Sequence, residues 1–293
     1  MRGMRCDYFY KNRQKIQQKV HNGHIMKENL RNKGIISIII SSFCFCIMFV
    51  CVKMSGELPV YEKAFFRNFI AAILVFVILK KNGEKLKIGK GNFKFLLLRS
   101  TCGTAGIICN FYAVDHMLLS DANVLMKLSP FFAILFSYFI LKERINASQF
   151  IIVVGAFLGM LLVIKPTGST FAQLLPSLIG VMGGLSAGAA YTFVRLLGKR
   201  KENGNLIVFF FSCFSCLILL PFMIFNFVPM TGIQLFYLIL AGMAACGGQI
   251  MVTRAYTYAP AGEISVYDYT QVIFSSIFGY LFFGQIPDSY SVL

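Results

Sequence analysis

GIISIIISSFCFCIMFVCV, residues 34–52, is nineteen residues long and carries no charge. At 1.5 Å rise per residue such a helix covers about 28 Å. That nearly matches the hydrocarbon core of a bilayer, about 30 Å thick. In lipid every backbone N–H and C=O must be satisfied internally, so only helices or closed barrels cross. The run is continuously apolar rather than alternating, which predicts a helix and not a barrel strand.

Eight more runs of this kind follow, at 60–79, 93–114, 120–141, 147–164, 174–196, 206–226, 233–253 and 262–283. The chain of 293 residues is 57% hydrophobic and 14% charged. The expectation is an all-α membrane protein of nine spans. The segment 1–33 is polar and basic, and no apolar stretch follows soon enough for a signal peptide. Met26 reads as an ordinary start before a first membrane helix, with residues 1–25 as an upstream extension.

The net charge of +16 is unevenly placed. Lys and Arg gather before the first span, in 80–94, in 142–144 and in 195–201, whereas the alternate loops offer only Lys53, Lys63 and Lys165. This asymmetry predicts a cytoplasmic N-terminus in the cell membrane and argues against a nucleic-acid partner. Eight of the nine cysteines fall inside apolar runs, so they read as small packing residues. Cys213 and Cys216 have metal spacing, but no His or further Cys stands near them in sequence. The three histidines lie outside the runs, and no phosphate loop or nucleophile–base spacing is present. Neither an enzyme nor a bound metal or cofactor is expected.

The chain repeats itself. Phe65-Phe66 and Phe69 match Phe210-Phe211 and Phe214; Ser42 and Phe49-Val50 match Ser186 and Phe193-Val194. Tyr112 and Tyr138 match Tyr256 and Tyr280, all at a shift of roughly 144 residues. The repeats are 34–165, with five spans, and 174–293, with four; Pro166-Thr-Gly-Ser joins them. Five is odd, so the second copy enters from the opposite face. Inverted repeats are the architecture of secondary transporters, with the solute site at the repeat interface near the midplane. The fifth span has no counterpart, and Gln285-Ile-Pro-Asp-Ser matches Glu143-Arg-Ile-Asn-Ala just before it, so a tenth helix is expected beyond Leu293.

Ionisable groups within spans are functional candidates by default. Lys127 and Asp268 each lie about six residues into repeat-related spans, roughly 9 Å deep from opposite faces. That leaves about 12 Å between their levels in a 30 Å core, which speaks against a direct salt bridge and for two ends of one polar cavity. Tyr267, Gln271 and Asn110 complete the candidate solute site with Arg67, for which snorkelling to the outer interface fits equally. Tyr269, Gln249 and Asn123 stand at similar levels, as contributors or as helix–helix contacts. Arg99 and Arg195 are expected to snorkel at the cytoplasmic ends. Gly180, Gly184 and Gly188 form one small face of the sixth span, suited to close packing.

Three stretches resemble the drug/metabolite transporter superfamily, specifically its ten-helix EamA-type members. They are Ala255–Tyr269 continuing to Gln285, Leu128–Leu135 continuing to Arg144, and Phe66-Arg67-Asn68-Phe69. The resemblance covers 34–293. Many members carry a carboxylate just before the fourth-helix proline; here Ser129 precedes Pro130, so carboxylate-based proton coupling is not carried over. The resemblance implies a multi-pass secondary transporter of a small metabolite or drug-like solute. The alternative is a non-transporting scaffold or receptor. The expected partners are a small solute and the lipid bilayer; a coupling ion and a homodimer stay open.

Overall fold

A computed structural model describes residues 2–84, 86–143 and 171–284, with residues 151, 154, 155 and 158 between them. The predicted fifth span and everything after Gly284 lie outside the described residues, apart from those four. Among the described residues the chain is helical and has no strand. The helices are α1 (Arg2–Met54), α2 (Val60–Lys81), α3 (Phe93–His116), α4 (Leu119–Met126), α5 (Leu128–Leu141), α6 (Phe171–Lys199), α7 (Gly204–Phe225), α8 (Gly232–Tyr258), α9 (Ala261–Asp268) and α10 (Thr270–Phe283).

Five stretches are long and apolar enough to cross a membrane unaided: Glu28–Met54, Asp121–Leu141, Leu174–Lys199, Gly204–Phe225 and Gly232–Tyr258. Helices α2 and α3 have 22 and 24 residues but carry Arg67 and Arg99 inside them. The basic N-terminal segment continues α1 as helix without a break at the start of the apolar run. Large apolar side chains crowd the outside, with Phe225 82% and Leu217 69% exposed. In water such a surface would aggregate; in a bilayer it is the lipid-facing belt.

The contacts repeat as the sequence does. Helix α1 packs on α8 as α3 packs on α6, and α1 packs on α9 and α10 as α6 packs on α4 and α5. The equivalent helices α2 and α7 pack on each other antiparallel: Cys216 Sγ reaches the Phe65 carbonyl at one end, and Phe76 stacks on Phe209 further along. Equivalent helices that run antiparallel belong to halves of opposite orientation, which is the inverted repeat.

The predicted fourth and ninth spans are each kinked at one residue. Pro130 has no N–H, and its ring would clash with the carbonyl four residues back, at Met126. The helix ends at Met126 and restarts at Leu128, with Lys127 as the joint. The second half has no proline there. Instead Thr270 Oγ1 donates back to the Tyr267 carbonyl at 2.8 Å, a side-chain bond that bends helices. The kink falls at Tyr269, whose hydroxyl donates to the Lys127 carbonyl at 3.2 Å and so links the two joints. Asp121 and Glu263 stand in the first turns of α4 and α9, where a carboxylate opposes the helix dipole favourably.

Helix α6 lies directly on the first joint. A Cβ at Gly188 would stand 2.7 Å from the Ser129 carbonyl oxygen and 2.9 Å from the Ala133 nitrogen; one at Gly184 would meet the Leu125 carbonyl oxygen at 2.9 Å. The glycine face is a packing face, as the spacing predicts. Gly188→Ala should therefore cost about 1–3 kcal/mol by overpacking against backbone. A lowered unfolding temperature of the purified protein is the expected reading, and an unchanged one would refute the contact.

The two ends of the bundle are tied separately. At one end Lys63 pairs with Asp115 at 2.7 Å, and Glu62 Oε1 accepts from the Val228 N–H at 2.6 Å. At the other, Glu84 accepts from Asn203 and Asn205, while Glu202 accepts from Asn92 and the Gly89 N–H. Burial alone would raise the Glu84 carboxyl, but its amide donors Asn82, Asn203 and Asn205 outweigh that and hold it below the ordinary carboxylate range. Glu143 pairs with Arg195 and Lys199 at this same end. The predicted basic loops thus gather on one face.

Candidate functional site

Lys127 and Asp268 are in direct contact: Lys127 Nζ lies 2.8 Å from Asp268 Oδ2. This corrects the expectation that some 12 Å separates their levels. Lys127 stands eight residues past Leu119, and Asp268 seven past Ala261, so both lie deeper than the span boundaries suggested. At 1.5 Å per residue their backbones come within about 8 Å of one level in a 30 Å core, a gap that the lysine stem closes.

Each partner is further anchored. Asp268 Oδ1 accepts from Ser42 Oγ at 3.0 Å, and Lys127 Nζ also donates to Gln271 Oε1 at 2.6 Å. Gln271 Nε2 then donates to Asn123 Oδ1 at 2.9 Å, and Asn123 Nδ2 to the Leu119 carbonyl at 2.8 Å. The chain of bonds fixes both amide orientations. The pair and this chain fasten α1 and the two kinked spans, α4–α5 and α9–α10, to one another. A buried ion pair is tolerable only with such additional hydrogen bonds.

In front of the pair lies a central cavity of about 60 Å³, lined from both halves. Lys127, Gln271, Asn110 and Arg67 reach it. Asp268 stands behind Lys127 rather than on the wall, and Tyr267 packs against the main apolar core instead. Arg67 is 2% exposed and does not snorkel. Its Nε donates to Met48 Sδ at 3.1 Å and its Nη1 to Asn68 Oδ1 at 3.3 Å. Phe45, Phe49 and Phe111 supply apolar wall.

Sequence reasoning missed Arg99. It is 1% exposed and on the cavity wall, not at the interface. Its Nη2 donates to Gln249 Oε1 at 3.0 Å, and the guanidinium lies over the Phe211 ring, 3.7 Å from the centroid. A signal was present four residues on. Any side chain at Gly103 would collide with the Arg99 guanidinium and come within 2.7 Å of the Phe211 ring. The glycine makes the room into which the arginine turns. Tyr191, stacked on Tyr256 at 4.8 Å, was also missed; a stacked aromatic pair looks like any core pair in sequence.

Among the described residues no group of His, Cys, Asp and Glu is placed to hold a metal. The eight cysteines from Cys44 to Cys246 are free thiols; Cys213 is exposed on the lipid face and Cys216 half-buried beside it.

Two opposed helical halves enclosing charged groups define the class, a multi-pass membrane transporter of small solutes. The chain belongs to the EamA-like transporter family, whose profile matches residues 32–165 and 174–293. Among curated relatives, the pseudopaline exporter CntI of Pseudomonas aeruginosa is 31% identical over 266 residues, 90% of this chain and 92% of that protein. Human solute carrier family 35 member G1 is 27% identical over 88% of this chain and 74% of its own. The S-adenosylmethionine uptake transporter of Rickettsia prowazekii is 22% identical over 88% and 87%. A solved crystal structure shares the fold, with a TM-score of 0.69 at 13% identity over 89% of this chain and 92% of that one. The relatives are named as transporters and exporters, and this protein is likewise not an enzyme.

Proposed function

We propose that the protein is a secondary transporter of the cell membrane that moves a metabolite-sized solute by alternating access. The carrying observation is the cavity at the repeat interface, walled on one side by Lys127 with Asp268 behind it, at the kinks of two helices. A polar site at the repeat interface near the midplane is the recurring arrangement of inverted-repeat transporters. Lys127, Gln271, Asn110 and Arg67 contact the solute, and Asp268 holds Lys127 in place. Tyr267 supports the α9 side of the joint.

Sites for drug-sized ligands measure about 300–1,000 Å³. The cavity of about 60 Å³ is far smaller, so the halves must part at one end to admit a solute. The two ties between the halves, Glu62 with the Val228 N–H and Glu84 with Asn203, are the natural gates because each joins the halves at one end only. The relatives' names, an exporter of pseudopaline and an importer of S-adenosylmethionine, support metabolite-sized cargo without setting a direction.

The test is release from proteoliposomes. Vesicles containing the full chain are loaded with a mixture of acidic, neutral and basic metabolites, and the lumen is followed by mass spectrometry. Selective loss of a subset, relative to protein-free vesicles, is the expected result. No selective loss in either direction of loading would refute transport.

The basic loops lie at the Glu84 end, and their excess positive charge assigns that end, with the N-terminus, to the cytoplasm. Lys87 and Glu57 are exposed at opposite ends. A cysteine introduced at Glu57 should react with an impermeant maleimide on intact cells, and one at Lys87 only after permeabilisation. The reverse pattern would invert the topology.

A further inference from the structure

We infer that the solute carries a compact anionic group, a carboxylate or a phosphate, which docks between Arg67 and Arg99; this rests on the transport reading above. Three cations line the cavity: Arg67, Arg99 and Lys127. Among the described residues only Lys127 has a counter-charge, at 2.8 Å in Asp268. Among the described residues no carboxylate pairs with either arginine. Their partners are neutral: a thioether and an amide for Arg67, an amide and an aromatic face for Arg99. Arg99 Nε and Nη1 are buried with no hydrogen-bond partner among the described residues.

A guanidinium stays charged at any physiological pH, so neither residue escapes its burial by losing a proton. An isolated buried charge is among the costliest features a fold can hold. Snorkelling was open to Arg99, close to the end of α3, yet Gly103 clears space that turns it inward. Unmet N–H donors in fork geometry match the paired oxygens of a carboxylate or phosphate. The Asn110 Oδ1, on the same wall and also without a partner among the described residues, asks for a donor elsewhere on the solute, a hydroxyl or an amine. The Lys127–Asp268 pair meanwhile leaves the excess charge of the cavity on the arginine side.

Binding tests this apart from transport. The full chain, purified in detergent, is unfolded thermally with succinate, succinamide or putrescine, a matched four-carbon series, and with inorganic phosphate, all at equal ionic strength. Well above saturation, an anion should raise the unfolding temperature by about 2–5 °C. Succinamide and putrescine should not. A rise with succinate alone assigns a carboxylate, and one with phosphate alone a phosphate. The rise should vanish in Arg99→Gln and in Arg67→Gln and persist in part in Arg99→Lys. Without ligand, Arg99→Gln should unfold at or above the wild-type temperature, since it removes an unmet charge.

The inference is overturned if neither anion shifts unfolding, if succinamide or putrescine shifts it equally, or if the shift survives in both arginine variants. It is overturned too if Arg99→Gln is markedly destabilised without ligand, because the guanidinium is then a structural element. In the vesicle assay, anionic members of the mixture should leave first, about tenfold or more slowly in Arg99→Gln. Selective movement of neutral or cationic members alone would sink the anion and leave transport standing; no movement would sink transport, while the binding result still decides the anion.

Discussion

Lys127→Met should lower the stability of the folded protein by about 3–5 kcal/mol, because it leaves Asp268 buried with Ser42 as its remaining side-chain partner. Asp268→Asn should cost a similar amount, stranding the ammonium beside Gln271. The double variant, Lys127→Met with Asp268→Asn, removes both charges together and should recover most of the loss. The pair therefore predicts strong coupling in a double-mutant cycle, where residues that do not touch would add. Thermal unfolding of the three purified variants reads the coupling. Transport should fail in all three, since the recovered fold still lacks the Lys127 charge on the cavity wall. Additive stabilities would show the contact to be energetically idle. Normal transport by the double variant would remove Lys127 from the solute site.

Joining the Glu84 end covalently should abolish transport. Glu84 and Asn203 meet at 2.6 Å and join the two halves, so cysteines placed there suit a short bifunctional thiosulfonate reagent. In a chain whose native cysteines are replaced, cross-linking should stop solute release nearly completely, and a reductant should restore it. Alternating access demands this, because a bundle that cannot part at one end exposes its cavity to one side only. Release that continues in fully cross-linked protein would show that this end does not open in the cycle.

Much of this was legible in the chain. Lipid offers the backbone no hydrogen bonds, so long apolar runs such as 34–52 and 206–226 have one solution, the helix. The shift of roughly 144 residues between matched pairs, as with Tyr112 and Tyr256, carries the two halves, because equal sequences fold to equal units. The glycine face of α6 was readable because helix geometry stacks residues four apart. The same cost argument that singled out Lys127 and Asp268 singled out Arg67. By itself, then, the sequence determined the helical membrane class, the repeat and most of the charged candidates.

Only the tertiary structure decided who meets whom. Depth counted along a helix locates a backbone, not the end of a flexible side chain, and two joints absent from the span count brought Lys127 and Asp268 together. For Arg99, position near a helix end says the charge can reach water, whereas the space cleared by Gly103 beside Phe211 turns it inward. That choice depends on neighbours 112 and 150 residues away along the chain, Phe211 and Gln249 having no sequence relation to Arg99. That the arginines lack counter-charges among the described residues became visible only in the packed structure, because having no partner is a property of the surroundings and not of the residue.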